Sequence, residues 1–199
     1  TPIDVAPRRS RSSLDVAMTC RTIRATMRAM TTRVVEQGPG DTITEYDEVA
    51  VHGDVVERLL TEIFSRHWAE IFAGPVIEGA AYEIRFTTAP TLSMLDGYLT
   101  VDVGAWHFHL CVGEHRGAAT PEQAAIRRVA RAAFFHTDGG SCVPGAWGLR
   151  LWNGRGEQMI TVYFPNPWLD DAQERTREPR WEKTALWAEL RARYAGATG

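Results

Sequence analysis

Between Tyr98 and Val112 the chain alternates apolar and polar residues on both sides of a Gly104-Ala105 pair, and a β-hairpin is the backbone that suits this pattern. A strand sends successive side chains to opposite faces. Trp106, Phe108, Leu110 and Val112 therefore belong to one side, and His107, His109 and Cys111 to the other. Gly104 supplies the positive φ that the first central position of a type II′ turn requires. In that register Asp102 faces His107, Thr100 faces His109 and Tyr98 faces Cys111. One sheet face then gathers all six of these side chains, and a slip of one residue would scatter them.

Helices are expected around this hairpin. Residues 1–13, rich in Pro, Arg and Ser, read as a mobile tail, and residues 14–199 as one domain. Val16, Cys20, Ile23, Met27, Met30 and Val34 recur at helical spacing, ended by Gln37-Gly38-Pro39-Gly40. An acidic link, Asp41 to Gly53, follows. Asp54 and Glu57 then open a helix carrying Val56, Leu60, Ile63, His67 and Ile71, with Ala73-Gly74-Pro75 as its stop. Tyr82 to Thr88 and Thr91 to Leu95 alternate as strands, with Asp96-Gly97 as a turn.

Thr120-Pro121-Glu122-Gln123 combines a capping threonine with proline at the first helical position. It predicts a helix with Ile126, Val129, Ala130, Ala133 and Phe134 on its buried side and His136 in its last turn, where the helix dipole favours a cation. A second hairpin is expected with a four-residue loop, Asn153 to Gly156, setting Trp147, Leu149 and Leu151 opposite Val162, Ile160 and Gln158. Pro179 to Tyr194 reads as a closing helix. The expected fold class is α+β: a single domain in which helices pack on one face of an antiparallel sheet and leave the histidine face open.

With a formal net charge of −3, nothing in the overall balance calls for a nucleic-acid partner, whose backbone would reward clustered cations. Of the 22 basic residues only Lys183 is lysine. No apolar run is long enough to span a membrane, and Arg8-Arg9 is not followed by the apolar stretch of an export signal. Three cysteines, Cys20, Cys111 and Cys142, lack a CxxC spacing, so a disulfide framework is not expected and a reducing, cytoplasmic compartment is.

Two histidines at i and i+2 on a strand can present both imidazoles to one divalent transition metal. Cys111 would add a soft ligand suited to zinc. Asp102 or Glu114 would instead complete a two-histidine, one-carboxylate set suited to iron. Asp102 could otherwise take the N–H of His107 and fix its tautomer. His107-x-His109, then four residues and Glu114, resembles the first metal motif of cupins, which implies a metal held by those three residues. His-Phe-His is also similar to the zinc-binding stretch of alpha-class carbonic anhydrases. Each family takes a further histidine from a later strand, and Gly139 to Asn153 contains none.

Cys142, in a Gly-rich loop close in sequence to His136 and Asp138, is a candidate nucleophile. Trp106, Trp147, Trp152 and Trp168 could line an apolar ligand pocket. The leading expectation is a small zinc- or iron-dependent enzyme that activates water, oxygen or a small-molecule substrate. The metal ligands would be His107, His109 and Cys111, with Asp102, Glu114 and Cys142 as catalytic candidates. The alternative is a non-catalytic ligand- or cofactor-binding protein, or an accessory subunit with a homo-oligomeric or unlike partner.

Overall fold

The computed structural model describes residues 33–37, 42–77, 79–139 and 143–196. The mobile tail, most of the first helix, Cys20 and Cys142 lie outside the described residues. In chain order the elements begin with β1 (Arg33–Gln37), β2 (Ile43–Val49), α1 (Val55–Arg66), β3 (Phe72–Gly74), β4 (Val76–Ile77), β5 (Ala80–Ala81) and β6 (Ile84–Arg85). Next are β7 (Thr91–Leu95), β8 (Tyr98–Asp102), β9 (His107–Cys111), α2 (Pro121–Arg127), β10 (Val129–Asp138), β11 (Gly145–Asn153) and β12 (Gln158–Tyr163). A 3-10 turn, Trp181–Thr184, leads into α3 (Ala185–Tyr194).

This is a mostly antiparallel β architecture, and it overturns the expectation of helices covering one face of a sheet. The described strands form a seven-stranded sheet in the order β1-β2-β10-β11-β12-β3-β6, a meander β7-β8-β9 and a small β4-β5 ladder. One core joins the two larger sheets in a sandwich-like arrangement: Phe134, Leu149, Leu151 and Val162 come from the large sheet, and Leu99, Val101 and Leu110 from the meander. α1 adds Leu59, Leu60, Ile63 and Phe64, all fully buried. Each such side chain contributes roughly 1.5–3 kcal/mol relative to an exposed one, enough to hold a 12-residue helix that would not persist alone. No described helix is long and apolar enough to cross a membrane.

Three stretches read as helix or link are strands. Arg33–Gln37, placed at the end of the first helix, is β1, and Ile43–Val49, read as an acidic link, is β2. The helix opened by Thr120 stops after Arg127. Thr120 Oγ1 accepts the Gln123 N–H at 3.2 Å as its cap, but Arg128 turns extended and the chain continues as β10. The reason is burial on both faces. β10 lies between β2 and β11, so Ala132, Ala133, Phe134 and Phe135 are all buried, and an apolar run this dense matches a helical stripe as well as a central strand. His136 consequently caps no helix; it stands on β10 with its ring stacked on Trp147, centroids 4.5 Å apart.

Two smaller differences follow from turn chemistry and edges. In the second hairpin Leu149 pairs with Val162 and Leu151 with Ile160, two residues from the expected register. One residue of the shift comes from a bulge between Leu151 and Trp152, and Asn153 explains the other. Its Oδ1 accepts from the N–H groups of Arg155 and Glu157, and Gly156 takes φ +76°, so three residues suffice for the loop. The expected strand Tyr82 to Thr88 contracts to Ile84–Arg85 at the sheet edge. Likewise α1 ends at Arg66, short of the expected Ala73-Gly74-Pro75 stop, and Phe72–Gly74 is β3.

Candidate functional site

The β8–β9 hairpin adopts the register read from its sequence: Tyr98 pairs with Cys111, Thr100 with His109 and Asp102 with His107. Gly104 has φ +84°, and the Val103 N–H donates to the Trp106 carbonyl at 3.1 Å, closing the turn. Trp106 and Phe108 pack inward, stacked with centroids 6.1 Å apart and joined to Phe86 and Phe64. His107 and His109 point outward and are exposed. Their ring centroids lie 5.0 Å apart, and Thr100 Oγ1 sits 2.8 Å from His109 Nδ1.

The rest of the expected patch is divided. Asp102 Oδ1 accepts the Gly104 N–H at 2.6 Å, so this carboxylate serves the turn. Cys111 lies on the histidine face by periodicity yet is 2% exposed, because the loop after β9 folds back over that end. The N–H groups of Val112 and Gly113 both donate to the Gly97 carbonyl, at 2.9 and 2.8 Å. Asp96 then accepts the N–H groups of Arg116 and Gly117 at 2.8 and 2.9 Å, and these two bonds hold its carboxyl below the usual range.

His115, nine-tenths buried, completes this roof. Its ring meets Tyr98 edge-on at 5.0 Å, its Nε2 is 3.5 Å from Asp96 Oδ2, and its Nδ1 is buried without a hydrogen-bond partner. Burial pushes the Cys111 thiol up, against smaller opposing pulls from the Tyr98 hydroxyl and Arg128. Burial and the neighbouring thiol raise the Tyr98 phenol as well. Glu114, the carboxylate of the cupin-like spacing, is largely exposed and bonded to Arg116 at 3.3 Å. Among the described residues no group of three or more His, Cys, Asp or Glu side chains is arranged to hold a metal ion.

A second site lies at one end of the large sheet. A cleft of about 910 Å³ opens where β11 begins and β12 ends, walled by Phe72, Trp147, Tyr163 and Phe164 and rimmed by the segment around residues 165–186. Of the four tryptophans considered as pocket residues, Trp147 lines this cleft, and Trp168 packs beside it through Trp181. Trp106 is committed to the core. Trp152 lies on the opposite face of the large sheet under Arg131, whose guanidinium carbon is 4.2 Å from its ring.

Charged groups converge on the cleft. Lys183 Nζ is 3.1 Å from Asp171 Oδ1 and donates to the Leu169 carbonyl at 2.7 Å. Arg85 lies over the Phe72 ring, 5.8 Å from its centroid. Burial raises the Tyr163 phenol; the field of Arg150 opposes this and that of Glu83 adds to it. His136 backs Trp147, its Nε2 buried and 3.2 Å from Asp138 Oδ1 but out of hydrogen-bonding alignment. Sequence spacing shows none of this convergence, since Phe72, Glu83 and Arg85 join the β11–β12 hairpin from far earlier in the chain.

The model of a protein family described as a family of unknown function, DUF7676, matches residues 32–196. No curated protein matches the chain.

Proposed function

Since the chain belongs to the DUF7676 family, a family of unknown function, we propose from its own cleft that it is a small-molecule-binding protein. The observation that carries this reading is the combination of aromatic walls, converging charge and a volume of about 910 Å³, the size that drug-sized ligands occupy. The polar groups also suggest the ligand's charge. Glu70, Glu83, Asp171 and Glu182 line the cleft against Arg85 and Lys183.

Most of these charges are already matched. Asp171 is bridged to Lys183, Glu182 to Arg180, and Glu70 to His67 at 3.1 Å. Glu83 makes no hydrogen bond or ion pair among the described residues, and it stands close enough to Tyr163 to act on its phenol. Arg85 is likewise without an ion pair among the described residues, but it is engaged over the Phe72 ring. Glu83 is thus the charge left facing the aromatic walls, and it suits a small organic cation with an apolar body, held by charge and by cation–π attraction.

Titration of the full chain with 2-phenylethylammonium, and with 3-phenylpropionate as its anionic counterpart, tests the reading. The ammonium should bind and raise the melting temperature, while Glu83→Gln weakens binding about tenfold and Trp147→Leu removes it. Binding of neither probe, preference for the anion, or binding indifferent to both substitutions would overturn it.

A further inference from the structure

The outward pair on β9 supports a separate site. We infer that His107 and His109 form a solvent-open, two-imidazole chelate for a divalent transition metal, with Thr100 fixing the ligating nitrogen of His109. The site is independent of the aromatic cleft, and three observations lead to it.

The first is direction. Residues at i and i+2 share a strand face, and here both rings are exposed with their centroids 5.0 Å apart and their planes at 66°. Rings so placed can turn two nitrogens toward one ion without moving the backbone. The second is the Thr100 hydroxyl, 2.8 Å from His109 Nδ1. When Nδ1–H donates to Thr100 Oγ1, the proton is held on the inner nitrogen and Nε2 keeps its lone pair directed to solvent. A metal-ligating histidine is commonly held through its other ring nitrogen in this way, and here a hydroxyl stands where a carboxylate, carbonyl or water usually does.

The third is what the neighbours are doing. Asp102 is held by the Gly104 N–H, Cys111 is roofed by the loop after β9, and Glu114 is engaged with Arg116. The chelate therefore has two protein ligands, and its remaining positions are filled by water or by a donor from outside the chain. Imidazole nitrogen without thiolate favours copper and nickel, with the order Ni²⁺ < Cu²⁺ > Zn²⁺ among later metals.

The experiment is calorimetric titration of the tag-free full chain with NiCl₂ and CuCl₂, followed by NMR of the histidine rings. One equivalent of metal should bind, with resonances of His107, His109 and Thr100 broadened first. Both His107→Gln and His109→Gln should lower affinity at least tenfold, whereas His52→Gln should not. Thr100→Val should lower it by about 10-fold, the low end expected for removing an outer partner. Binding unchanged in His107→Gln and His109→Gln, or the absence of binding to the wild-type chain, would overturn the site. Unchanged affinity in Thr100→Val would overturn the assignment of the ligating nitrogen.

Discussion

Asp102 Oδ1 accepts the Gly104 N–H at 2.6 Å, two residues along the same chain, rather than a ring N–H of His107, its pair on the neighbouring strand. The carboxylate is an Asx-type brace for the turn that sets the hairpin register. Asp102→Ala should therefore cost about 1 kcal/mol of stability in urea unfolding, below the usual range for a hydrogen bond to a charged group because this one is exposed and water replaces it in part. Its Ni²⁺ affinity should stay at the wild-type value. A loss of affinity matching that of His107→Gln would show that Asp102 reaches the metal.

Gly97 is the most demanding position in the meander. It has φ +81°, and an added Cβ would stand 2.5 Å from the Glu114 carbonyl oxygen. Gly97→Ala should destabilise the protein by about 2 kcal/mol or more, combining left-handed strain with displacement of the loop after β9. Thermal unfolding measures the loss. A variant as stable as wild type would show that this loop does not rest on the Asp96-Gly97 turn.

Cys111 is 2% exposed and its thiol is raised by burial, so at neutral pH it should be protonated and shielded. In a Cys20→Ser, Cys142→Ser background, iodoacetamide at pH 7.5 should label Cys111 only at the rate of opening, and urea should accelerate labelling by orders of magnitude. Fast labelling of the folded protein would contradict the roof formed by residues 113–117.

Glu62 joins α1 to α3. Burial raises its carboxyl, but the Tyr194 hydroxyl at 2.7 Å and the Arg193 guanidinium prevail, leaving it below the ordinary value of 4.5. A group lowered in the folded state contributes fully above its unfolded value and loses that contribution as pH falls through the folded one. The stability advantage of wild type over Glu62→Gln should thus be constant near neutrality and shrink below about pH 4.5, measured by denaturant unfolding across pH. An advantage that grows with acidification would have the wrong sign.

How much of this was legible in the sequence depended on whether local signals agreed. At Asp96-Gly97 and Gly104-Ala105 the turn residues and the flanking alternation point the same way, so the pairing of β7, β8 and β9 could be written down in advance. At Val129–Phe135 nothing local separates helix from strand; only the position between β2 and β11, with both faces buried, decides it. A strong helix start at Thr120 then misleads, because it belongs to a helix of seven residues.

The candidate site was legible in the same uneven way. Outward placement of His107 and His109 follows from period two, and the partnership with Thr100 from the register that the Gly104-Ala105 turn sets. The burial of Cys111 does not, since it rests on bonds from Asp96 to residues 20 and 21 positions later. His115 read as part of a polar loop for that reason. The cleft was invisible except as an excess of tryptophan, because Phe72, Trp147 and Tyr163 meet only when β3, β11 and β12 are side by side.

The large sheet also sets an order of assembly. β7, β8 and β9 pair with immediate neighbours and can close as soon as they leave the ribosome, within microseconds by the standards of hairpins. β2 has no such option on its β10 side: Glu48 meets Arg131, 83 positions further along the chain, and β3 waits for β12 in the same way. During synthesis β2 must stay unpaired along that edge until the last third of the chain emerges. This interval exposes an edge to other nascent chains, and it is the step at which a chaperone would be needed most.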